Sequence, residues 1–517
     1  MKLSAVTLRT FTALHTWTGL VAGLALFVAF YAGAITVFHH DLQRWQAAQT
    51  PVGTLDDMQH LLDGVLQRHA KAREHVGMMF PGDESPQPIA YWQDEAGTWL
   101  FATLDNLDGS PQPPQTGLSE LVNELHYTLG LPIAGTYLMG LVSLLYGIAL
   151  VSGLVIHLPR LAKDLFALRP GHNLKRYWQD AHNVIGVLSL PFHLLFAISG
   201  ALLCLLFVAM TALNPLIFGN GLMAALPQAL DTYPQRDKVE YAAPLGSLAQ
   251  WRARAVEAAK ARGLADFEPA YLKLRLAGNA SAEVEITGAA PRALAPLGAV
   301  ALDASTGEVL RTQLAGSRDA NHATLATLYA LHFGEFGNAA VQWLYFLLGL
   351  GGAFLFYSGN LLWIETRRKR RQAQQSRGAF FLARLTVGAC IGICAAISAA
   401  FVAAQLAGLK PEWLAAGIVL ERWACFLTWA VCLLWAFLRR PRRAAQELLW
   451  LSAVLTASIP LAHGIASGWW FWRSAAAGHG ALYGVDLTAL VLACAFAALA
   501  WAVARRGKAG EANSVWA

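Results

Sequence analysis

Apolar residues in this chain gather into eight long runs, near 14–38, 133–157, 183–208, 339–363, 380–407, 415–438, 447–465 and 481–504. Each run holds roughly 20 or more residues, the length a helix needs to cross the hydrocarbon core of a bilayer. Two mixed stretches, about 40–125 and 210–325, interrupt the series. In the first, TLDDMQHLLDGVLQRHAKAR (54–73) has helical apolar spacing behind a Thr-x-x-Asp opening, and HVGMMF, PIAYWQ and WLFATL follow as short strands between turn residues. In the second, LGSLAQWRARAVEAAKARG (245–263) reads as a helix closed by Gly263, followed by AYLKLRL, AEVEIT, GAVALD and, after the turn ASTG, EVLRT. The expected fold class is an α-helical integral membrane protein with about eight transmembrane helices and two α+β modules between them. Its expected divisions are the first span at 1–39, a module at 40–125 and spans two and three with their loop at 126–209. A second module at 210–325, the fourth span with a basic loop at 326–378, and a C-terminal four-helix region at 379–517 complete them.

The apolar runs also repeat. LHTWTGLVAGLALFVAFYAG (14–33) resembles AHNVIGVLSLPFHLLFAISG (181–200), and in both a histidine stands 18 positions before a glycine: His15 before Gly33, His182 before Gly200. LHYTLGLPIAGTYLMGLVSLLYGIALVSG (125–153) aligns with LHFGEFGNAAVQWLYFLLGLGGAFLFYSG (331–359), which sets His126 and His332 each 27 positions before Gly153 and Gly359. The chain is therefore a duplicated unit of helix, insert and helix, with histidines at matching places. Histidine is costly inside a bilayer, so its repetition points to a ligand. His193 follows His182 by 11 residues. On an ideal helix that is about three turns, roughly 16 Å in depth and within about 20° on one face, so one helix can address two stacked centres. Pro191 and the Ser199-Gly200 pair provide for a kink or close packing in that helix. Single histidines near span ends or in the inserts (His39, His60, His69, His75, His157) read instead as side chains at the headgroup level. His40 is a weaker candidate at the end of the first span, and His463 and His479 in the C-terminal region are left open.

Composition agrees with the pattern: 56% of residues are hydrophobic, 14% charged, and 18 are Trp. The net charge of +6 resides in loops. Lys2 and Arg9 precede the first span; Arg160, Lys163, Arg169, Lys175 and Arg176 fill the second loop; RRKRR (367–371), RRPRR (439–443) and Arg505 to Lys508 follow spans four, six and eight. All fall on one side if both termini are cytoplasmic, which places the two inserts outside. The basic charge is thus a topology signal and not a nucleic-acid footprint. The first span, longer than a signal-peptide core although it ends in AGA (32–34), reads as a retained anchor. Six cysteines, at 204, 390, 394, 425, 432 and 494, all lie in predicted spans without a CxxC or CxxCH, so neither a disulfide framework nor covalent c-type haem is expected. GLGG (349–352) lies inside a hydrophobic helix and reads as helix packing, and no Walker motif or strand-GxGxxG-helix unit occurs.

GAVALDASTGEVLRT (298–312) resembles the closing hairpin of a PepSY domain, with Asp303, Thr306 and Gly307 shaping the turn. The repeated helices with His15, His126, His182 and His332 resemble the PepSY-associated transmembrane helix family of iron-regulated inner-membrane proteins, over about residues 10–370. That resemblance implies periplasmic PepSY-like modules and an inner-membrane reductase of ferric siderophores holding two b haems, in iron acquisition. The residues permit it, because neutral imidazole is a common haem ligand and bis-imidazole iron suits electron transfer. A parallel repeat brings corresponding residues of the two halves together, so His15 and His182 form the natural inner pair. For the outer centre His126 with His193 is favoured, and His332 is a substitute ligand or a substrate-side residue. Trp92, Trp99, Tyr271 and Arg275 on the inserts are weaker candidates to line a chelate site. With no flavin or nicotinamide motif in view, electrons are expected from a cytoplasmic partner, a diffusible reductant or membrane quinol; basic loops suit an acidic donor. Two other classes fit in part: a transporter of iron or another small solute, and a non-enzymatic PepSY binding or protease-inhibiting membrane protein. Membrane lipid is a partner under every reading.

Overall fold

The fold is that of a computed structural model, which describes residues 4–48, 50–82, 85–111, 117–160, 174–222, 225–226, 231–368, 372, 374–409, 419–508 and 513–516. Lys163, Arg169, Lys369, Arg370, Arg371 and residues 415–418 of the expected sixth span lie outside these. A chain in lipid must satisfy its own backbone polar groups, and long apolar runs do so as helices. Eight described helices are long and apolar enough to cross a membrane: α1 (Ala5–Thr36), α6 (Ala134–His157), α8 (Leu190–Ile217), α11 (Ala339–Thr366), α12 (Arg377–Gly408), α13 (Leu420–Leu438), α14 (Pro441–Ser467) and α16 (Gly480–Lys508). They coincide with the eight apolar runs. The third departs in detail: α7 (Leu174–Leu188) carries His182, α8 carries His193, and the two meet at Ser189 beside Pro191. Proline has no N–H to continue the ladder, and Ser189 Oγ turns back to the Ile185 carbonyl at 2.5 Å. A π turn at Val387–Ile391 interrupts α12.

The chain divides into two compact units, Met1–Ala48 with Gly117–Leu206 and Leu344–Ala517, and Gln49–Thr116 with Phe207–Trp343. In the first, α1 packs on α6 and α12 around Leu26, Phe27, Phe30, Tyr31, Tyr146, Ile393, Ile397 and Phe401. The outward stripe of α6 (Leu138, Leu141, Leu144, Ile148, Val151) stays exposed, at the i, i+3, i+4 spacing of one helix face. A stripe of that size and apolarity is a lipid-facing surface.

The second unit is built on one antiparallel sheet of eight strands in the order β4-β3-β2-β1-β5-β6-β7-β8. The strands are β1 (His75–Met79), β2 (Ile89–Gln93), β3 (Trp99–Thr103), β4 (Asn106–Ser110), β5 (Glu268–Arg275), β6 (Glu283–Ala289), β7 (Leu297–Asp303) and β8 (Val309–Gln313). Each insert thus supplies a four-stranded meander, and β1 pairs with β5 in the register His75 to Arg275 through Met79 to Tyr271, so both share one sheet. β4, with no run of apolar residues, was not expected. Helices α3 (Leu55–Arg68) and α9 (Leu248–Lys260) cover one face through Met58, Leu61, Leu62, Val65, Leu248 and Trp251. The Thr54–Asp57 opening of α3 is a full capping box. In the last hairpin the Asp303 carboxylate accepts the N–H groups of Ser305 (3.0 Å) and Thr306 (2.8 Å), and Gly307 sits at φ +74°, as the turn reading anticipated.

Candidate functional site

Histidines of the repeat take up one recurring arrangement in the first unit. His15, on α1, has Nδ1 at 2.8 Å from the Ala149 carbonyl, and its ring lies on Gly153, where a Cβ would come to 3.0 Å from Cε1. His126, on α5 (Leu118–Thr128), has Nδ1 at 2.7 Å from the Ala29 carbonyl and lies on Gly33, where a Cβ would come to 2.6 Å. His182 lies on Gly359, with Cε1 at 3.6 Å from a Cβ there, and its Nδ1 is 3.0 Å from Ser358 Oγ. In each case a glycine admits the ring. For His15 and His126 the hydrogen-bonded carbonyl stands four residues before it, one turn down the same helix. The carbonyl of Leu355, likewise four before Gly359, accepts instead from Ser358 Oγ at 2.9 Å.

These contacts fix the tautomers. A carbonyl only accepts, so Nδ1 of His15 and of His126 carries the proton and Nε2 keeps its lone pair. Ser358 Oγ donates its one proton to Leu355 O at 2.9 Å, so it accepts from His182 Nδ1–H, and there too Nε2 is left as the basic nitrogen. On the other side Ser152 Oγ donates to the Ile148 carbonyl at 2.7 Å and also lies 3.0 Å from Ala149 O, the carbonyl that His15 uses. The His15 and His182 rings are neighbours, with centroids 6.3 Å apart and planes at 85°, edge to face. Neither Nε2 has a hydrogen bond among the described residues. Both residues lie near the basic end of their helices, behind Arg9 and behind Lys175 and Arg176.

The other candidates are placed differently. His193 is fully buried, its Nδ1 2.5 Å from the Tyr146 hydroxyl, its ring among Phe30 (5.8 Å), Phe192 (5.8 Å) and Tyr146 (6.0 Å). Its Nε2 is buried without a hydrogen bond among the described residues. His332 belongs to the second unit, buried near the end of α10 (Ala320–Phe333) with Phe333 at 5.2 Å. The His40 and His39 rings are tilted together at 3.7 Å, and the half-buried His69 lies tilted against the core residue Trp92 at 4.6 Å. Among the described residues no group of three or more His, Cys, Asp and Glu side chains gathers to hold a bare metal ion.

On the inserts, Trp92 is core, Trp99 is exposed beside Tyr91 (5.9 Å), and Arg275 bonds Glu283 at 3.1 Å and the Arg236 carbonyl at 2.7 Å. Lys273 sits 3.3 Å from Glu285 and 3.8 Å from Asp231. Burial pulls its ammonium down, but the two carboxylates outweigh that and hold its pKa above the ordinary value. Sequence reasoning missed Tyr146 and Ser358. The second had a signal, since Ser-Gly recurs at 152–153, 199–200 and 358–359, while Tyr146 carries none.

The profile described as PepSY-associated TM region matches residues 12–366, which contain every histidine of the repeat. A protein of Pseudomonas aeruginosa, described as uncharacterized, is 27% identical over 314 residues, which cover 58% of this chain and 74% of that protein.

Proposed function

This chain belongs to the PepSY-associated TM family, and from that premise we propose that it is a haem-containing reductase of the bacterial inner membrane. It passes electrons across the membrane to a ferric chelate, such as a ferric siderophore, in iron acquisition. The observation that carries this is the His15–His182 pair. Two neighbouring imidazoles with uncommitted basic nitrogens could hold one haem iron between them. The two rings stand 6.3 Å apart, each with its basic nitrogen uncommitted. A porphyrin brings four nitrogen donors of its own and leaves two positions for the protein, so a pair suffices.

His15 and His182 would hold the inner haem b. His126 with His193 would hold the outer. Haem, when bound between two imidazoles, supplies a one-electron carrier whose iron has no open position. The chain's own groups prepare for this. Donation from Nδ1–H to a helix carbonyl or to Ser358 orients each ring and raises the basicity of Nε2, as partners of metal-bound histidines commonly do. The glycines keep space that a side chain would fill. Lys/Arg at the span ends favour cytoplasmic termini and a periplasmic sheet unit, and the electron donor is a cytoplasmic partner or membrane quinol.

Proteoliposomes holding the purified protein and an internal reductant test this. External ferric hydroxamate should be reduced, trapped as a coloured ferrous complex, and the signal should fall in His182→Ala. Iron entering the vesicles without ferrous product would favour the transporter reading instead.

A further inference from the structure

The C-terminal helices, beyond the residues that the family profile matches, enclose a second polar site. His463 on α14 and Asp486 on α16 are both fully buried, with His463 Nδ1 at 2.9 Å from Asp486 Oδ2. Trp45 Nε1, at the end of α2 (His39–Gln46), donates to Asp486 Oδ1 at 2.9 Å, so each carboxylate oxygen has a donor. Nδ1 therefore carries the imidazole proton, and Nε2 presents a lone pair. That Nε2 is buried with no hydrogen bond among the described residues. An orphaned polar atom inside apolar helices costs about 1–3 kcal/mol and asks for an explanation. An acid in such a place marks function by default.

The surroundings say what would satisfy it. Flat rings wall the site: Trp45 at 4.8 Å from the His463 ring, and Phe401 at 5.7 Å from Trp45. Pro460 breaks the ladder of α14 three residues before His463, and Trp470 packs on Gly464, the next residue. His463 lies 22 residues after Pro441, about 33 Å along the helix from the basic RRPRR end, so the site stands at the far side of the bilayer. There Trp470 and Trp472 stack at 5.2 Å in the manner of an interfacial aromatic belt. A ligand for this nitrogen must reach it through lipid, be flat, and donate a hydroxyl. Those are the properties of a quinol.

We propose that His463 and Asp486 form the quinol-binding and proton-accepting site that feeds electrons to this protein. The proposal rests on the reductase reading, names its donor, and moves the point of electron entry from the cytoplasmic side to the far side of the membrane, beside the outer haem. One quinol hydroxyl gives its proton to His463 Nε2, forming an imidazolium held by the Asp486 carboxylate, and the other hydroxyl proton leaves to solvent. The two electrons would leave one at a time to the one-electron carriers that the histidine pairs would hold, and the product is the quinone. Asp486 is a positioning residue, fixing tautomer and ring. Trp45 joins the site to the His126 helix, because the neighbouring Gln46 Oε1 accepts the N–H of Leu118, the first residue of α5, at 2.8 Å.

The test uses the full chain in lipid nanodiscs with decylubiquinone as probe. Wild type should bind it and, with anaerobic decylubiquinol, show haem reduction. His463→Gln should bind about tenfold more weakly and be reduced at least about 100-fold more slowly. Asp486→Asn should keep the binding and lose the rate, a split that a merely structural pair would not produce. In both variants dithionite should still reduce a full complement of haem. Binding and rates unchanged in both variants would overturn the proposal, as would a wild type that holds haem but binds no quinone. Quinone binding that depends on His463 in a protein without haem would uphold the site and sink the reductase reading.

Discussion

Adding one methyl group at each of three glycines tests the histidine arrangement by degrees. A Cβ at Gly33 would stand 2.6 Å from His126 Nδ1, one at Gly153 3.0 Å from His15 Cε1, and one at Gly359 3.6 Å from His182 Cε1. Ordinary contact begins at about 3.5 Å, so the ring must yield about 0.9 Å in the first case, about 0.5 Å in the second and none in the third. His126 cannot yield that far and keep its 2.7 Å bond to Ala29 O. Gly33→Ala therefore adds overpacking, about 1–3 kcal/mol, to a weakened bond worth about 1 kcal/mol. We expect a loss of about 2–3 kcal/mol there, roughly 1 kcal/mol for Gly153→Ala, and no measurable loss for Gly359→Ala. If half of the Gly33 effect falls on haem binding at the outer site, affinity drops about tenfold. Thermal unfolding and haem content of the three purified variants read the series. A Gly359→Ala protein damaged as much as Gly33→Ala would refute the contact geometry, and equal haem content with graded stability would separate the packing from the cofactor.

Tyr146→Phe removes the partner of a buried histidine nitrogen and should cost about 1–3 kcal/mol; if His193 serves the outer haem, that haem's potential moves as well, and a fixed potential would take His193 out of the pair. Thr54→Ala breaks the capping box of α3 and should cost about 1 kcal/mol, read as faster amide exchange in α3 with haem content unchanged. His75 is held below its ordinary pKa near 6.5 by burial and by Lys273. Its folded form stays neutral while the unfolded chain takes up protons, so it contributes stability that is present above about pH 6.5 and lost as pH falls toward the folded value. Amide exchange in β1 at pH 7.5 and 5.5 should show this, and His75→Gln should flatten it.

Much of the membrane unit was legible because apolar length and the repeat are properties of the chain itself. Eight runs became eight helices, and three of the four glycines aligned with histidines admit a ring, each that of another histidine: His126 on Gly33, His15 on Gly153 and His182 on Gly359, while Gly200 lies against Ser143. Helix neighbours decide that exchange, and no spacing along one helix reveals it. Pro191 marked a kink whose position at Ser189 depends on the Ile185 carbonyl. In the inserts, strands with alternating apolar residues were readable, whereas β4 (NLDGS) is held by its register with Phe101 and Thr103 and has little signal of its own. The joining of β1 to β5 brings together residues nearly 200 positions apart, and so was beyond local pattern. His463 could not be distinguished from a packing residue until Asp486 and Trp45 stood beside it.

The central claim is that His15 and His182 bind one haem iron. Its most direct measurement is the dithionite-reduced minus oxidised spectrum, with a pyridine haemochrome count, of the wild type, His15→Ala and His182→Ala. The account predicts low-spin b-type bands at about two haems per wild-type chain and about one in each variant, the same one lost from both. Full haem content in both variants, or none in a wild type expressed with haem precursor, would contradict it.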